Sequence, residues 1–287
     1  MRIIGGEFRS RKLKAPPGIE TTRPLPDRVR ESVFNLLRGH FEGVAVVDAF
    51  AGTGSFGLEA LSRGASRVVF VERDRGAARY LRENIEMLGV QDRAEVVQGD
   101  AVSMLTARRF PRDSHVVFFD PPYPFVKTHE GWARMREQLV RSLPLLDEGG
   151  WLMVRTPWPF WHLYDAEGRP VATPKDDNDP AEDERPARRG RGGRKRGGEA
   201  ATERTPLRRS KRSDETPEAR FDDAIPLNDA RADAALDAFE AELAAAAIVR
   251  RPADLELPGA IGPETHPYKN TAVHLYQRDA DAADSGA

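Results

Sequence analysis

Five short apolar runs, separated by segments of helical spacing, fill residues 44–164 and set the tightest limit on what this chain can fold into. They are Val44-Ala45-Val46-Val47-Asp48, Arg67-Val68-Val69-Phe70-Val71, Glu95-Val96-Val97, His115-Val116-Val117-Phe118-Phe119 and Gly150-Trp151-Leu152-Met153-Val154. Runs without polar alternation belong to strands buried on both faces. Between them, Phe56, Leu58 and Leu61 mark a helix from Ser55 to Arg63, closed by Gly64. Ala77, Leu81, Ile85 and Leu88 mark a second, stopped by Gly89, and a third runs from about Trp132 to Leu143. Strand and helix in alternation build a parallel sheet with helices on both sides, an α/β fold.

The flanks read differently. Residues 1–43 hold a small hairpin over Arg2 to Leu13, turning at or near Gly5-Gly6. A helix follows, opened by Pro26 and striped by Val29, Val33, Phe34 and Leu37. Residues 44–164 are the core. Residues 165–226 are rich in Pro, Arg, Gly, Asp and Glu and poor in apolar side chains, a composition expected to stay disordered. Residues 227–278 return to the fold, with Asn228 capping an Ala-rich helix from Asp229 to about Ala247, then strand material at Thr271 to Tyr276. Residues 279–287 read as a frayed tail.

The net charge of −2 argues at first sight against a nucleic-acid partner, but it is a cancellation. Residues 1–43 carry +4, 44–164 zero, 165–184 −6, 185–212 +10, 213–257 −8 and 258–287 −2. The +10 block contains an Arg/Gly-rich run at 188–198. It reads as a flexible RNA tether, as a segment masked by its acidic flanks, or as an insertion without function. The 287 residues contain no cysteine, which excludes disulfides and thiolate chemistry and fits a reducing cytoplasm. No apolar run approaches the roughly 18 residues a bilayer requires, and Met1 to Glu7 lacks a signal peptide's apolar stretch. The expectation is a soluble, cytoplasmic monomer without a metal.

Three marks stand at the carboxyl ends of strands, where open parallel sheets bind ligands. The first is Asp48-Ala49-Phe50-Ala51-Gly52-Thr53-Gly54. Gly52, Gly54 and Gly57 satisfy the dinucleotide pattern G-x-G-x-x-G, and Glu72 follows at the distance of a ribose-binding carboxylate. Asp48 argues otherwise, because a carboxylate there repels a pyrophosphate and suits the ammonium and sulfonium of S-adenosylmethionine. The second mark is Gly99-Asp100-Ala101. Asp100 can take an adenine amine and the Ala101 N–H a ring nitrogen, although Asp100 could equally cap a helix starting at Ala101. The third is Asp120-Pro121-Pro122-Tyr123. An exocyclic aromatic amine is a poor nucleophile because its lone pair is conjugated into the ring. Acceptors such as the Asp120 carboxylate and the Pro121 carbonyl help it pyramidalise. The two prolines stiffen the loop, and Tyr123 offers a face for stacking.

Asp-Pro-Pro-Tyr is similar to the motif of S-adenosylmethionine-dependent methyltransferases that modify exocyclic amines of nucleobases. Arg2-Ile3-Ile4-Gly5-Gly6, Arg9-Ser10-Arg11-Lys12-Leu13, Arg23-Pro24, Asp27-Arg28-Val29-Arg30-Glu31, Phe34-Asn35, the stretch from Phe50 to Gly64 and Ala272 to Tyr276 together resemble the RsmD-type 16S ribosomal RNA guanine-N2 methyltransferases. The resemblance covers about residues 1–157 and 268–278. It implies a class I methyltransferase, a Rossmann-like seven-stranded sheet with its last strand antiparallel, carrying an N-terminal β-hairpin extension and here a long, mostly disordered insertion. It implies S-adenosylmethionine held by Asp48, Phe50, Ala51, Gly52, Thr53, Gly54, Glu72, Arg73, Asp100 and Ala101. It implies methyl transfer to a guanine N2 of 16S ribosomal RNA, free or in a small-subunit assembly particle, at Asp120, Pro121, Pro122 and Tyr123. The RNA backbone would be gripped by Arg2, Arg9, Arg11, Lys12, Lys14, Arg23, Arg28 and Arg30.

Two departures stand out. Leu25-Pro26 replaces a hydroxyl residue usual in the family, and the connection between about Trp158 and His266 is far longer than usual. Other readings stay open. A DNA amino-methyltransferase shares the Asp-Pro-Pro-Tyr logic but usually needs a recognition domain. A glutamine-N5 protein methyltransferase would carry Asn in place of Asp120. An NAD-dependent dehydrogenase remains through the glycine pattern, and a non-catalytic RNA-binding protein if the site had decayed. His115 and His274, inside strands, read as structural.

Overall fold

The computed structural model describes residues 1–17, 26–171, 241 and 243–281. In chain order the elements are α1 (Asp27–Leu36), β1 (Ala45–Asp48), α2 (Gly57–Ser62), β2 (Arg67–Glu72), α3 (Arg75–Leu88), β3 (Ala94–Gln98), α4 (Met104–Ala107) and β4 (Ser114–Phe119). They continue with α5 (Tyr123–Lys127), α6 (His129–Ser142), β5 (Leu146–Pro157), β6 (Trp161–Tyr164), β7 (Pro170–Val171), β8 (Val249–Pro252), β9 (Ala260–Tyr268) and β10 (Thr271–Arg278). The large sheet has seven strands in the order β3-β2-β1-β4-β5-β10-β9. The first five are mutually parallel, and β10 runs antiparallel to both β5 and β9. The chain winds outward from β1 to β3, then returns to place β4 on the other side of β1. The crevice between the carboxyl ends of β1 and β4 is therefore the topological switch point.

Each strand feeds two cores because its side chains alternate. Val46, Val68, Phe70, Val116 and Phe118 meet α1, α2 and α3 through Val33, Phe34, Leu58, Leu61 and Leu81. Val47, Val69, Val71, Val117 and Phe119 meet α6 through Trp132, Met135 and Leu139. All ten strand residues are fully buried. Burying each such side chain stabilises the fold by roughly 1.5–3 kcal/mol before entropy is subtracted. The helix ends follow local chemistry. The Asp74 carboxylate accepts from the Ala77 N–H (2.6 Å) to cap α3, and Gly89 ends α3 at φ +70°. The helix expected from Ser55 begins instead at Gly57, behind a tight turn.

The front segment closes as a short hairpin, with the Leu13 N–H donating to the Met1 carbonyl (3.1 Å) and the Ser10 N–H to the Ile3 carbonyl (2.9 Å). Arg2 and Lys12 make a single antiparallel bridge, and the Ile3 N–H donates to the Arg11 carbonyl at 3.0 Å. Ile3 and Leu13 are buried in the helix-side core. The segment is bolted down by polar groups. Glu59 of α2, fully buried, accepts from the Ile4 and Gly5 amides at 2.6 and 2.8 Å. The Ser62 hydroxyl donates to the Gly5 carbonyl, and Asn84 pairs with both backbone groups of Lys14. A Cβ on Gly6, whose φ is +75°, would lie 1.8 Å from the Ser62 carbonyl oxygen.

Two expectations about the later chain need correction. Residues 165–171 are not a disordered start to the insertion. β6, β7 and β8 form a second sheet in the order β7-β6-β8. Asp165 closes its first turn by accepting from the Glu167 and Arg169 amides. Phe160 packs edge-on to Trp132 (4.8 Å between centroids), anchoring that sheet to α6. β9 was also missed as an element of its own. It carries Pro263 and Pro267, which the hydrophobic pattern cannot read as strand but which an edge strand tolerates. The expected helix from Asp229 to Ala247 is described only at its end. Positions 172–226, Arg23 and the tail beyond Asp281 lie outside the described residues.

His115 bonds Asp147 (2.7 Å) and His40 (2.8 Å) at the amino edge of the sheet. His274 lies between the Thr156 and Thr265 hydroxyls, and burial pushes its pKa down to about 4. Both are held in structural networks.

Candidate active site

The switch point collects three carboxylates from three strand ends. Asp48, the last residue of β1, is 1 % exposed. One of its oxygens accepts from the Gly57 N–H at 2.9 Å, and the other has no partner. Burial, with Asp120 and Glu72 nearby, raises its pKa to about 7 against the Gly57 hydrogen bond. Glu72, the last residue of β2, accepts from the Gly52 N–H (2.7 Å) and the Asp74 N–H (2.6 Å). Its pKa is also raised, chiefly by burial.

The glycine loop between β1 and α2 has distinct duties at each glycine. Gly52, at φ +55°, has open space where a side chain would stand. Gly54, at φ +95°, faces Leu81 and Leu58, which a Cβ would meet at 2.6 and 2.8 Å. Gly57 lets α2 lie on β2, since a Cβ there would be 2.2 Å from the Phe70 ring. The Ala51 N–H donates to the Val71 carbonyl (2.9 Å), and the Thr53 carbonyl accepts from Asn84 (3.0 Å). Phe50 packs on Phe119 and Phe125, each 6.4 Å away. Arg73 is exposed, and its carbonyl accepts from Gln98.

Asp100 follows β3. One oxygen accepts from the Val102 N–H (3.2 Å), and the other pairs with Arg134 of α6 at 2.9 Å. The helix it would cap starts only at Met104, so Asp100 braces a turn that holds the buried Ala101.

Asp120 follows β4, with Pro121 buried, Pro122 as the N-cap residue of α5 and Tyr123 half-buried as its first residue. One Asp120 oxygen accepts from the Nε–H of Arg155 on β5. The Arg155 guanidinium also lies 4.7 Å from the centre of the Tyr123 ring. Arg155 and Arg134 are site neighbours that motif reading missed. Arg155 carried one signal, a lone charge in the apolar run Leu152-Met153-Val154.

The expected RNA-gripping residues divide. Arg2, Arg9, Arg11, Lys12 and Arg28 are exposed, although Arg2 lies 3.6 Å from Asp27. Lys14 is paired with Glu83 at 3.2 Å. Arg30 must be withdrawn. It is 1 % exposed and donates inward to the Arg2 carbonyl (2.5 Å) and Asp27 (3.0 Å). Its place on the buried stripe of α1 with Val29, Val33 and Phe34 explains this.

The donor set tests the dinucleotide alternative directly. A pyrophosphate at this loop would meet Asp48, Glu72 and Asp120 together, with Asp48 holding an unsatisfied oxygen. A ligand bearing positive charge offers that oxygen the partner it lacks. The site thus fits a cationic ligand beside an acceptor-lined aromatic shelf.

Comparisons with known proteins bear on the family and the fold. The profile of the family described as conserved hypothetical protein 95 matches residues 1–162. Ribosomal RNA small subunit methyltransferase D of Escherichia coli K12 is 39 % identical over 154 residues, 53 % of this chain and 69 % of the relative. Its namesake from Haemophilus influenzae is 35 % identical over 176 residues, 61 % of this chain and 83 % of the relative. The solved structure of yhhF from Escherichia coli superposes with a TM-score of 0.53 at 22 % identity, covering 98 % of each chain, a likeness of fold.

Proposed function

Because the chain belongs to the conserved hypothetical protein 95 family, we propose that it is a ribosomal RNA methyltransferase. The reaction is transfer of a methyl group from S-adenosylmethionine to the exocyclic N2 amine of a guanine in 16S ribosomal RNA. One observation carries the reading. A buried carboxylate with an orphan oxygen, Asp48, stands across the switch point from the stiff acceptor loop Asp120 to Tyr123.

The cofactor would be held by Asp48, the loop from Phe50 to Gly54, Glu72, Arg73, Asp100 and Ala101. When bound, it supplies a methyl group activated on a sulfonium sulfur. The chain's own residues do the remaining work. Asp48 answers the ligand's positive charge. Glu72, now satisfied by the Gly52 and Asp74 amides, accepts from ribose hydroxyls. Tyr123 stacks on the target base, which is turned out of its own stack to reach the site. Asp120 and the Pro121 carbonyl accept from the amine and direct its lone pair at the methyl. Catalysis here is positioning and fixed electrostatics.

Asp120→Ala is expected to abolish methyl transfer while S-adenosylmethionine affinity, measured by calorimetry, stays within about tenfold of wild type. Turnover near the wild-type rate would remove the assignment. Mass mapping of 16S ribosomal RNA from cells lacking the chain should show one N2-methylguanine lost.

A further inference from the structure

The group that holds Asp120 lies on the neighbouring strand. β5 runs parallel to β4 with Val154 beside Phe119, so Arg155 and Asp120 are the next residues on each. Val154 and Thr156 are fully buried, and the Arg155 side chain between them is 13 % exposed. A guanidinium placed so deep is costly unless it is paired. Its partners are the Asp120 carboxylate and the Tyr123 ring, and together they favour its charged form against the opposing effect of burial.

Among the described residues, both partners belong to the acceptor loop. Neither contact consumes the whole of its partner. Arg155 takes one Asp120 oxygen and leaves the second for an incoming amine. Its guanidinium lies over the Tyr123 ring, 4.7 Å from the centre and at cation–π distance, so it can occupy only one of the ring's two faces. A direct grip on RNA phosphate would require an exposed guanidinium, which Arg155 is not.

We propose that Arg155 is the positioning residue of the acceptor-base site, fixing the Asp120 carboxylate and closing one face of Tyr123 so that the target base enters on the other. The proposal rests on the reading of Asp120 to Tyr123 as that site. Arg155 lies outside the Asp-Pro-Pro-Tyr motif itself.

The test uses the full-length chain with 16S ribosomal RNA transcripts and 30S particles from cells lacking it. Arg155→Met keeps the length of the stem and removes the charge and the Nε–H. It is expected to lower kcat about 30-fold or more, with the KM for RNA and the S-adenosylmethionine affinity within about threefold of wild type. Arg155→Lys, which restores charge without the planar fork, should recover only part of that loss. In a D120N background, where little remains to be positioned, adding Arg155→Met should slow transfer less than about threefold further. A kcat for Arg155→Met within threefold of wild type overturns the proposal, as do losses that multiply with D120N. If Arg155→Met does not fold, by its thermal midpoint, the same cycle with Arg155→Lys decides. D120N as active as wild type would instead overturn the reading of the site itself. An inactive D120N beside an active Arg155→Met overturns the role of Arg155 alone.

Discussion

Asp48 is where one residue's burial translates most directly into a measurable property. The folded state holds its proton up to a pKa of about 7, raised from the ordinary 3.8. The unfolded chain gives up that proton near the ordinary value. Folding is therefore favoured most below about pH 4, and this contribution is lost as pH rises toward 7. Asp48→Asn is expected to flatten that slope, so that the ligand-free variant melts higher than wild type at pH 7 and above. S-adenosylmethionine affinity should fall at least about tenfold in the same variant, because the charge facing the ligand is gone. Wild-type binding near pH 7 should release a proton, visible as a calorimetric heat that changes with the buffer's ionisation enthalpy. A heat independent of buffer would contradict an orphan oxygen that ionises on meeting a cation. The residue itself was legible, since a carboxylate ending an apolar strand before glycines has few other uses. Its missing partner was not, because satisfaction depends on what every neighbouring strand brings.

At the scale of elements, the N-terminal segment changed most between sequence and structure. Arg2 to Leu13 read as a small basic hairpin turning at or near Gly5-Gly6. The fold makes it a strap over α2 and α3, held by Glu59, Ser62 and Asn84. Glu59 is the main bolt, accepting from two amides and from Arg63 with no exposure to water. Glu59→Gln removes the charge and turns one acceptor into a donor facing other donors. It should cost about 2–4 kcal/mol of stability. Exchange at the Ile4 and Gly5 amides should quicken with it. Unchanged exchange and an unchanged midpoint would mean the strap is held by Ile3 and Leu13 alone. Helices with strong stripes, such as α3, were legible because their spacing and their Gly89 stop are local. α4 and β9 were not. The Asp100 turn delays α4, and prolines hide an edge strand that only its pairing with β10 makes visible.

At the scale of the whole molecule, the net charge misleads and its distribution informs. The exposed cations of the strap lie on its outer side. The turn at Gly6 rests on Ser62, at the end of α2 remote from the glycine loop, while Lys14 approaches Thr53 through Asn84. Deleting residues 1–14 would empty part of the core, so charge must be removed without removing the strap. Arg9→Gln, Arg11→Gln and Lys12→Gln together should reduce the salt slope of RNA affinity by about 2, at an unchanged thermal midpoint. A slope equal to wild type would place the RNA contact elsewhere. The long connection leaves at β7 and returns at β8, and both pair with β6 in a separate sheet. The return end is held further by α6 and β10, with the Trp132 Nε1–H donating to the Asp254 carbonyl (3.0 Å) and the Tyr276 hydroxyl to that of Leu255 (2.8 Å). The seven-stranded sheet can therefore close whatever the connection's length, since loop-closure entropy grows only slowly with length. No helix among the described residues is long and apolar enough to cross a membrane.

The sequence by itself determined the alternation of strands and helices, the switch-point glycines and the acidic and aromatic groups at the strand ends. Each of these is a local pattern, set by period, turn chemistry and residue type. Only the tertiary structure decided that Asp48 keeps an unsatisfied oxygen, that Arg30 points inward and that Arg155 holds Asp120. Those facts depend on which strands become neighbours, and that is fixed by the packing of residues far apart in the chain.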